Sequence, residues 1–558
     1  MPYLRQEFQD LAFDLSVRSS EFAHGLGFGL GIIFKHLQQE DRIRFLTIPP
    51  ANPEFTRGFG TSIGRIFQYL TEDERKEILT RAKENVKFAE GLGEGFGFIL
   101  PFLQENSSEY TQLIFGLAQD NAEVAKGLGA GYGRAYRYLS QDQKNQFARM
   151  EKENIKFAEG LGWGLGCSFI HLDEYRPPQK LEQMVETLKQ GISLRSLGRP
   201  LQQSILAKVD RESGTSFARG LGAGLGRIFH YLPEEFKERL FQKAKQNVQF
   251  ANGLGAGLGQ TFQYLDEAQR TEMISRAEEN EQFGRGFGFG LGYSFIYLGG
   301  QLQQQIISWV LEKKGGLVRG LGAGFANCIF FSVVSDDLRD KIFSMIEISH
   351  EFALGLGSGL GDVLPYLHQD LIKRIIDQAR RNAILARGLG FGLGHSYEFL
   401  PNRYEAIFRE AKEIHDLARG FGNGSGHIFH RLNPRLQESI LEKAETDREF
   451  AMGLCEGLGQ DFKDLDQTTQ NRILNWMYQR VGLAYGFGEG LGRNFLSLSP
   501  DIRQKVLTKA SEANNEFIEG LRDGLKYSFR YLGKDLQSAI LKAAERNPSF
   551  ANKAWNES

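Results

Sequence analysis

The residues of this 558-residue chain best equipped for chemistry are its histidines, cysteines, carboxylates and arginines. His427 and His430 are spaced i, i+3. Asp362, His395 and His427 occupy the same position in three successive copies of a glycine-rich repeat. Imidazoles and a carboxylate brought together by stacked helices would suit a tetrahedral metal such as zinc. Dispersed histidines on a polar helix face are the commoner arrangement, so neither a metal nor any other cofactor is expected. Cys167, Cys328 and Cys455 lie in separate repeats and carry no local signature of a nucleophile or a paired disulfide framework. Acidic residues abound on the polar helices between the glycine runs, where i, i+4 pairing with Lys or Arg accounts for them.

The glycine runs loosely mimic Gly-x-Gly-x-x-Gly, which cradles phosphates when it follows a strand and opens a helix. Here no hydrophobic strand precedes the run, and it recurs some fifteen times along the chain. No Gly-Lys-Ser/Thr completes a phosphate-binding loop. No catalytic role is therefore assigned, and the chain is expected not to be an enzyme.

Arginines and aromatics remain. The middle copies carry Arg219, Arg227, Arg285, Arg319, Arg387 and Arg419, together with His230, His395, His427 and His430. Trp163, Phe289 and Phe391 stand three residues after the first glycine of their runs. That position varies from copy to copy while its neighbours hold constant, which marks an exposed face. Toward the C-terminus the same face turns acidic with Glu456, Glu489, Glu519 and Asp523. A strip basic at its centre, with large aromatics as anchors, suits a partner carrying acidic segments.

The elements that must position these residues are the repeats themselves. Phe217-Ala-Arg-Gly-Leu-Gly-Ala-Gly-Leu-Gly-Arg-Ile-Phe-His-Tyr-Leu232 is a representative copy. The first glycines fall at Gly25, Gly58, Gly91, Gly127, Gly160, Gly220, Gly253, Gly286, Gly320, Gly355, Gly388, Gly420, Gly453, Gly486 and Gly520, mostly about 33 residues apart. A fixed period of this length signals a stacked array. The 60-residue step from Gly160 to Gly220 fits two periods, with Gly191–Gly198 as an eroded copy between them.

At 100° per residue, Phe at −3, Leu at +1 and +5, Ala at −2, the aromatic at +9 and Leu at +12 form one continuous stripe, as an amphipathic helix requires. A strand would scatter them over both faces. The glycines at 0 and +4 then make one smooth flank and those at +2 and +6 another, each a Gly-x-x-x-Gly ridge for close helix approach. Four helical glycines cost about 4 kcal/mol relative to alanine, which only tight packing against both neighbouring repeats can offset.

The intervening segment reads as a second amphipathic helix. Thr71/Glu74 and Ser140/Gln143 form capping boxes, and Pro233, Pro434 and Pro500 lie near helix starts. Asn85, Asn154, Asn247, Asn382 and Asp447 stand six residues before the glycine marker as N-caps.

The expected fold is all-α: an α-solenoid of about sixteen helical hairpins of about 33 residues, with closely packed glycine-rich inner helices, as a strongly curved superhelix or near-ring. Inner helices about 7 Å apart and outer ones about 10 Å apart imply on the order of 20 repeats per turn. One continuous domain, 1–558, is expected, with irregular copies around 173–216 and 313–340. The layout resembles the α-solenoid superfamily, tetratricopeptide-like and HEAT-like repeats included, although the Trp, Leu-Gly and Tyr signature of the former and the Asp/Arg ladder of the latter are missing. That resemblance implies protein or peptide recognition.

A net charge of −2 gives no global pull toward nucleic acid or acidic membranes. The sequence shows no signal-peptide core, apolar span or lipidation signal, and unpaired cysteines fit a reducing compartment, so a cytoplasmic protein without membrane contact is expected. The expected function is that of a non-enzymatic intracellular scaffold or adaptor binding a protein or extended peptide in its concave groove. An RNA or single-stranded nucleic-acid binder using the arginines and aromatics ranks second, and an all-α toroidal enzyme third.

Overall fold

The computed structural model describes residues 20–37, 53–102, 108–169, 199–209, 215–312, 315–330, 336–397, 413–462, 484–493, 500–512, 516–529 and 532–547, with isolated positions between some of these ranges and Phe550. Among the described residues all regular structure is helical, and successive helices pack against their neighbours. The chain divides into two compact units, residues 1–352 and 353–558.

The repeat around Gly253 shows how sequence becomes structure. Asn247 ends the preceding outer helix and starts the next: its backbone N–H donates to the Lys243 carbonyl, while its Oδ1 accepts from the Phe250 N–H at 2.9 Å. The glycine helix Val248–Gln260 follows, then a single 3₁₀ turn, Phe262–Tyr264. Asp266 opens the outer helix Glu267–Glu279 with a reciprocal capping box to Gln269. Thr71 with Glu74 and Ser140 with Gln143 form the boxes expected of them. Asn85, Asn154, Asn382 and Asp447 also cap their helices as expected.

The cap residue has a second function that spacing alone did not show. The Nδ2 of Asn247 donates to the carbonyl of Val209 at 2.8 Å, just after the outer helix one repeat back. Asn121 to Ala82, Asn280 to Ala244 and Asn547 to Ala510 repeat this tie. One amide thus satisfies two groups that helix ends leave open and links successive repeats.

The apolar stripe forms the core between glycine and outer helices. Phe250, Ala251, Leu254 and Leu258 are fully buried, and Leu240 and Ala244 are buried on the outer helix Glu234–Gln246 that packs against theirs. The stripe departs from its expected course at the C-terminal end. The α-helix stops near position +7, and the residues at +9 and +12, Phe262 and Leu265, reach the core from the 3₁₀ turn and the residue after it. Tighter winding re-aims those side chains, so the aromatic at +9 packs onto the next repeat: Phe262 meets Phe287 edge-on at 5.6 Å.

Glycine sets the distance between neighbouring glycine helices. A Cβ on Gly253 or Gly257 would come within 3.0 Å of the Arg219 or Ala223 backbone carbonyl in the preceding repeat. One on Gly255 or Gly259 would strike the Phe283 or Phe287 carbonyl in the following one. The two flanks therefore serve opposite neighbours, and the obstacles are backbone atoms that no rotamer change can move.

The Gly160 helix (Ile155–Cys167) and the Gly220 helix (Thr215–Arg227) pack directly on one another: the added Cβ of Gly162 would meet the Phe217 carbonyl, and that of Gly220 the Glu159 carbonyl. The glycine layer thus steps between them with no helix interposed. The sequence expected an eroded copy, Gly191–Gly198, at that step; those residues lie outside the described ones. The Gly320 helix (Gly316–Phe330) is entered through Gly315, whose φ of 71° lies in the left-handed region that favours glycine.

Candidate functional site

In the first unit the inward face of the glycine helices is filled by its own side chains. Positions −4, −1, +3 and +7 supply them, one helical turn apart. At −1 the residues alternate in sign, Arg57, Glu90, Lys126, Glu159 and Arg219, so each helix offers its neighbours the opposite charge. Arg57 lies 2.9 Å from Glu94 and 3.8 Å from Glu90, and Glu90 is also reached by Lys87 at 3.0 Å and Lys126 at 3.8 Å. Arg134 closes on the other oxygen of Glu94 at 2.6 Å. Glu94 is 1% exposed, and Glu54, Arg57 and Glu90 are nearly as deep.

Burial alone would push these carboxyls up, yet the surrounding cations win. Lys126, Lys87 and Arg57 hold Glu90 well below the ordinary range, and Arg134 and Arg57 do the same, less strongly, for Glu94. Burial likewise opposes the charge on Arg57, but Glu90, Glu94 and Glu54 raise it well above normal. Glu159 is driven down to about 2 because Lys126, Arg219 and Lys156 outweigh its burial.

Some contacts join repeats that are not neighbours. The Tyr293 hydroxyl, on the Gly286 helix (Glu281–Ser294), donates to Glu54 Oε1 at 2.6 Å on the Gly58 helix (Pro53–Ile66), 239 residues away. Lys87 stands over the same phenol ring at 5.5 Å. Burial and the Glu54 charge keep the Tyr293 hydroxyl protonated far above its usual range. Arg57, three glycine helices before Trp163, lies 4.4 Å from that indole's centroid.

The residues singled out from sequence fall into distinct places. Trp163 is half-buried beneath Arg57, Arg134 and Arg227, the last at 5.9 Å. Arg219 is exposed, within the field of Glu159. Arg285, Phe289 and Arg319 are half-buried, and the buried Nε of Arg319 has no hydrogen-bond partner. His230 and His430 are placed differently from expectation. Because the α-helix has already ended, both sit on 3₁₀ turns, where His230 packs on Tyr231 with centroids 3.7 Å apart and His430 is exposed.

In the second unit, Arg387, Phe391 and His395 lie on the Gly388 helix (Ala383–His395), with Arg419 and His427 on the Gly420 helix (His415–Ile428). Phe391 stacks on His395 at 6.0 Å and meets His427 edge-on at 5.5 Å. Arg419 pairs with Glu456 of the next repeat, which also accepts from Asn423 at 3.2 Å. Asp362 accepts from Ser396 Oγ at 2.7 Å. No group of three metal-ligating side chains forms among the described residues.

Sequence reasoning missed Glu54, Arg57, Lys87, Glu90, Glu94, Lys126, Arg134 and Tyr293. The alternation of sign at −1 was the signal that would have found three of them, Arg57, Glu90 and Lys126. Among the described residues no helix is long and apolar enough to cross a membrane. No family model matches the chain, and no curated protein matches it.

Proposed function

We propose that the chain is a non-enzymatic helical-repeat scaffold that holds an extended, acidic polypeptide along the inner face of its glycine helices. The observation that carries this reading is the half-exposed group on the Gly388 and Gly420 helices. There Phe391 is bracketed by His395 and His427, and Arg387 makes no ion pair among the described residues. An extended peptide repeats its same-side residues every ~6.6–6.8 Å, close to the spacing of about 7 Å that glycine contacts allow, below the 8–10 Å of ordinary helix pairs. One anchor per repeat is therefore geometrically natural.

The first unit contributes curvature to the same reading. Tyr293 meets Glu54 six glycine helices on, through the Gly91, Gly127, Gly160, Gly220 and Gly253 helices to the Gly286 helix, and Trp163 meets Arg57 at half that separation. These contacts support a superhelix of about six glycine helices per turn, tighter than the roughly 20 that layer spacing implies. A six-membered turn has a radius equal to its helix spacing, about 7 Å, so its side chains meet in the middle. A polypeptide then fits outside such a filled turn, in the second unit along Arg387 and Phe391.

The test is fluorescence anisotropy of labelled Asp/Glu-rich peptides containing one aromatic residue, against the full chain and its Arg387→Glu variant. Affinity falling at least 10-fold in the variant, with basic peptides not binding, is the expected result. Equal affinity for acidic and basic peptides, or an unaffected variant, removes the reading; tight, salt-sensitive oligonucleotide binding would replace it with nucleic-acid recognition.

A further inference from the structure

The charges inside the first unit do not balance. Glu94 serves both Arg57 and Arg134, and Glu54 is engaged by Tyr293. Arg65 and Arg227 form no direct ion pair with a carboxylate among the described residues; Glu94 and Glu54, in whose fields they lie, are already shared with Arg57. Arg65 lies between aromatic faces, 3.9 Å from the Phe98 centroid and 4.8 Å from that of Phe28, and its buried Nε has no partner. The Nε of Arg57, a residue 6% exposed, is likewise buried and unpartnered.

These guanidiniums converge. Arg57, Arg134 and Arg227 stand 4.4, 4.8 and 5.9 Å from the centroid of the single Trp163 indole. All three also act on the Cys167 thiol, one turn further along the same helix, while Arg65 and Arg134 lie in each other's field. Burial depresses the basicity of Arg65 against the opposing pull of Glu94, and Arg134 adds to the depression. Like charges gathered in a low-dielectric interior are costly unless a counter-charge joins them. The buried Nε–H groups of Arg57 and Arg65 leave two donors unused for such a counter-charge.

We propose that Arg57, Arg134 and Arg227 around Trp163, together with Arg65 in the field of Arg134, bind a compact polyvalent oxyanion of the phosphate class. Planar guanidinium forks match phosphate oxygens two at a time, which a lysine cluster would not do. The ligand is small because Arg57 and Trp163, three glycine helices apart, already touch across the interior. A polypeptide cannot pass between them. This inference is independent of the peptide reading, which uses other residues.

The test is titration calorimetry of the full chain, in chloride buffer, with inorganic phosphate and with tripolyphosphate. Saturation by phosphate identifies a single phosphoryl group as sufficient, and saturation by tripolyphosphate alone identifies a linked series; either supports the site. The Arg65→Gln/Arg227→Gln variant is expected to bind at least 10-fold more weakly. It should also melt at the same or a higher temperature than the wild type in chloride, because two uncompensated charges are gone. Arg227→Lys, which keeps the charge and loses the fork, provides the check if the double variant does not fold, and should also weaken binding. Trp163 emission should respond to ligand in the wild type, with the response absent in Trp163→Phe. No saturable binding by either anion, or undiminished affinity in the double variant and in Arg227→Lys, overturns the proposal.

Discussion

Glu94 sits in the interior with 1% of its surface exposed, and it is charged there because Arg57 and Arg134 both reach it. Removing one member of such a group strands the others, at a typical cost of about 3–5 kcal/mol. Glu94→Gln should therefore lower the unfolding free energy obtained from urea melts by an amount near the bottom of that range, since the amide still accepts a hydrogen bond. The same carboxylates set the pH response. Glu54, Glu90 and Glu94 all have folded pKa values below their ordinary 4.5. Their contribution is complete above pH 4.5 and is lost as pH falls through the folded values. The thermal midpoint should be flat near neutrality and drop below pH 4.5, and Glu94→Gln should make that drop shallower. An unchanged acid slope in the variant would show that Glu94 does not carry this charge. Asn247 supports a second single-residue comparison. Asn247→Asp keeps the cap oxygen and loses the Nδ2 donation to Val209, for about 1 kcal/mol; Asn247→Ala loses both, for about 2 kcal/mol. Equal losses in denaturant melts would mean that the inter-repeat tie contributes nothing.

Glycine helices were legible in the sequence almost to the atom, because helical geometry converts Gly-x-x-x-Gly spacing directly into a flank. Gly255 and Gly257 fall on opposite flanks and face opposite neighbours, as 100° per residue requires. The end of the helix was not legible. No Gly at C′ or Pro marks it, and Phe262 and Leu265 keep helical spacing although a 3₁₀ turn carries them. Periodicity cannot separate the two conformations when both point the side chain at the same core. The flank argument makes a prediction that propensity alone would get wrong. Gly255→Ala gains about 1 kcal/mol of helix propensity, yet its methyl would collide with the Phe283 carbonyl and Phe287 N–H, so the protein should melt at a clearly lower temperature. At Gly25 the same substitution meets nothing within 4 Å among the described residues. There the propensity term stands alone, and Gly25→Ala should raise stability by up to about 1 kcal/mol. Two variants changing stability in the same direction would remove close packing as the reason for the motif.

The charged network of the first unit was the least legible feature, since some of its partners lie several repeats apart and no local pattern encodes which repeats meet. Glu54 and Tyr293 are 239 residues apart, and neither sits in a motif that names the other. Neighbouring partners such as Arg57 and Glu90 could be inferred from alternating sign; Arg57 over Trp163 could not. The distinction has an energetic consequence for the first unit. An array held only by nearest neighbours unfolds as a chain of local units, each blind to events a few repeats away. The Tyr293–Glu54 hydrogen bond, to an ionised and buried acceptor, couples the Gly58 helix to the Gly286 helix directly. Such a bond contributes about 2 kcal/mol, so Tyr293→Phe should speed amide exchange roughly 30-fold wherever opening depends on it. The expected pattern in hydrogen-exchange mass spectrometry is loss of protection in both 281–294 and 53–66, with the helices between them less affected. Loss confined to the Gly286 helix and its immediate neighbours would mean that the contact adds no cooperativity, and that the first unit is stabilised only by its adjacent glycine flanks.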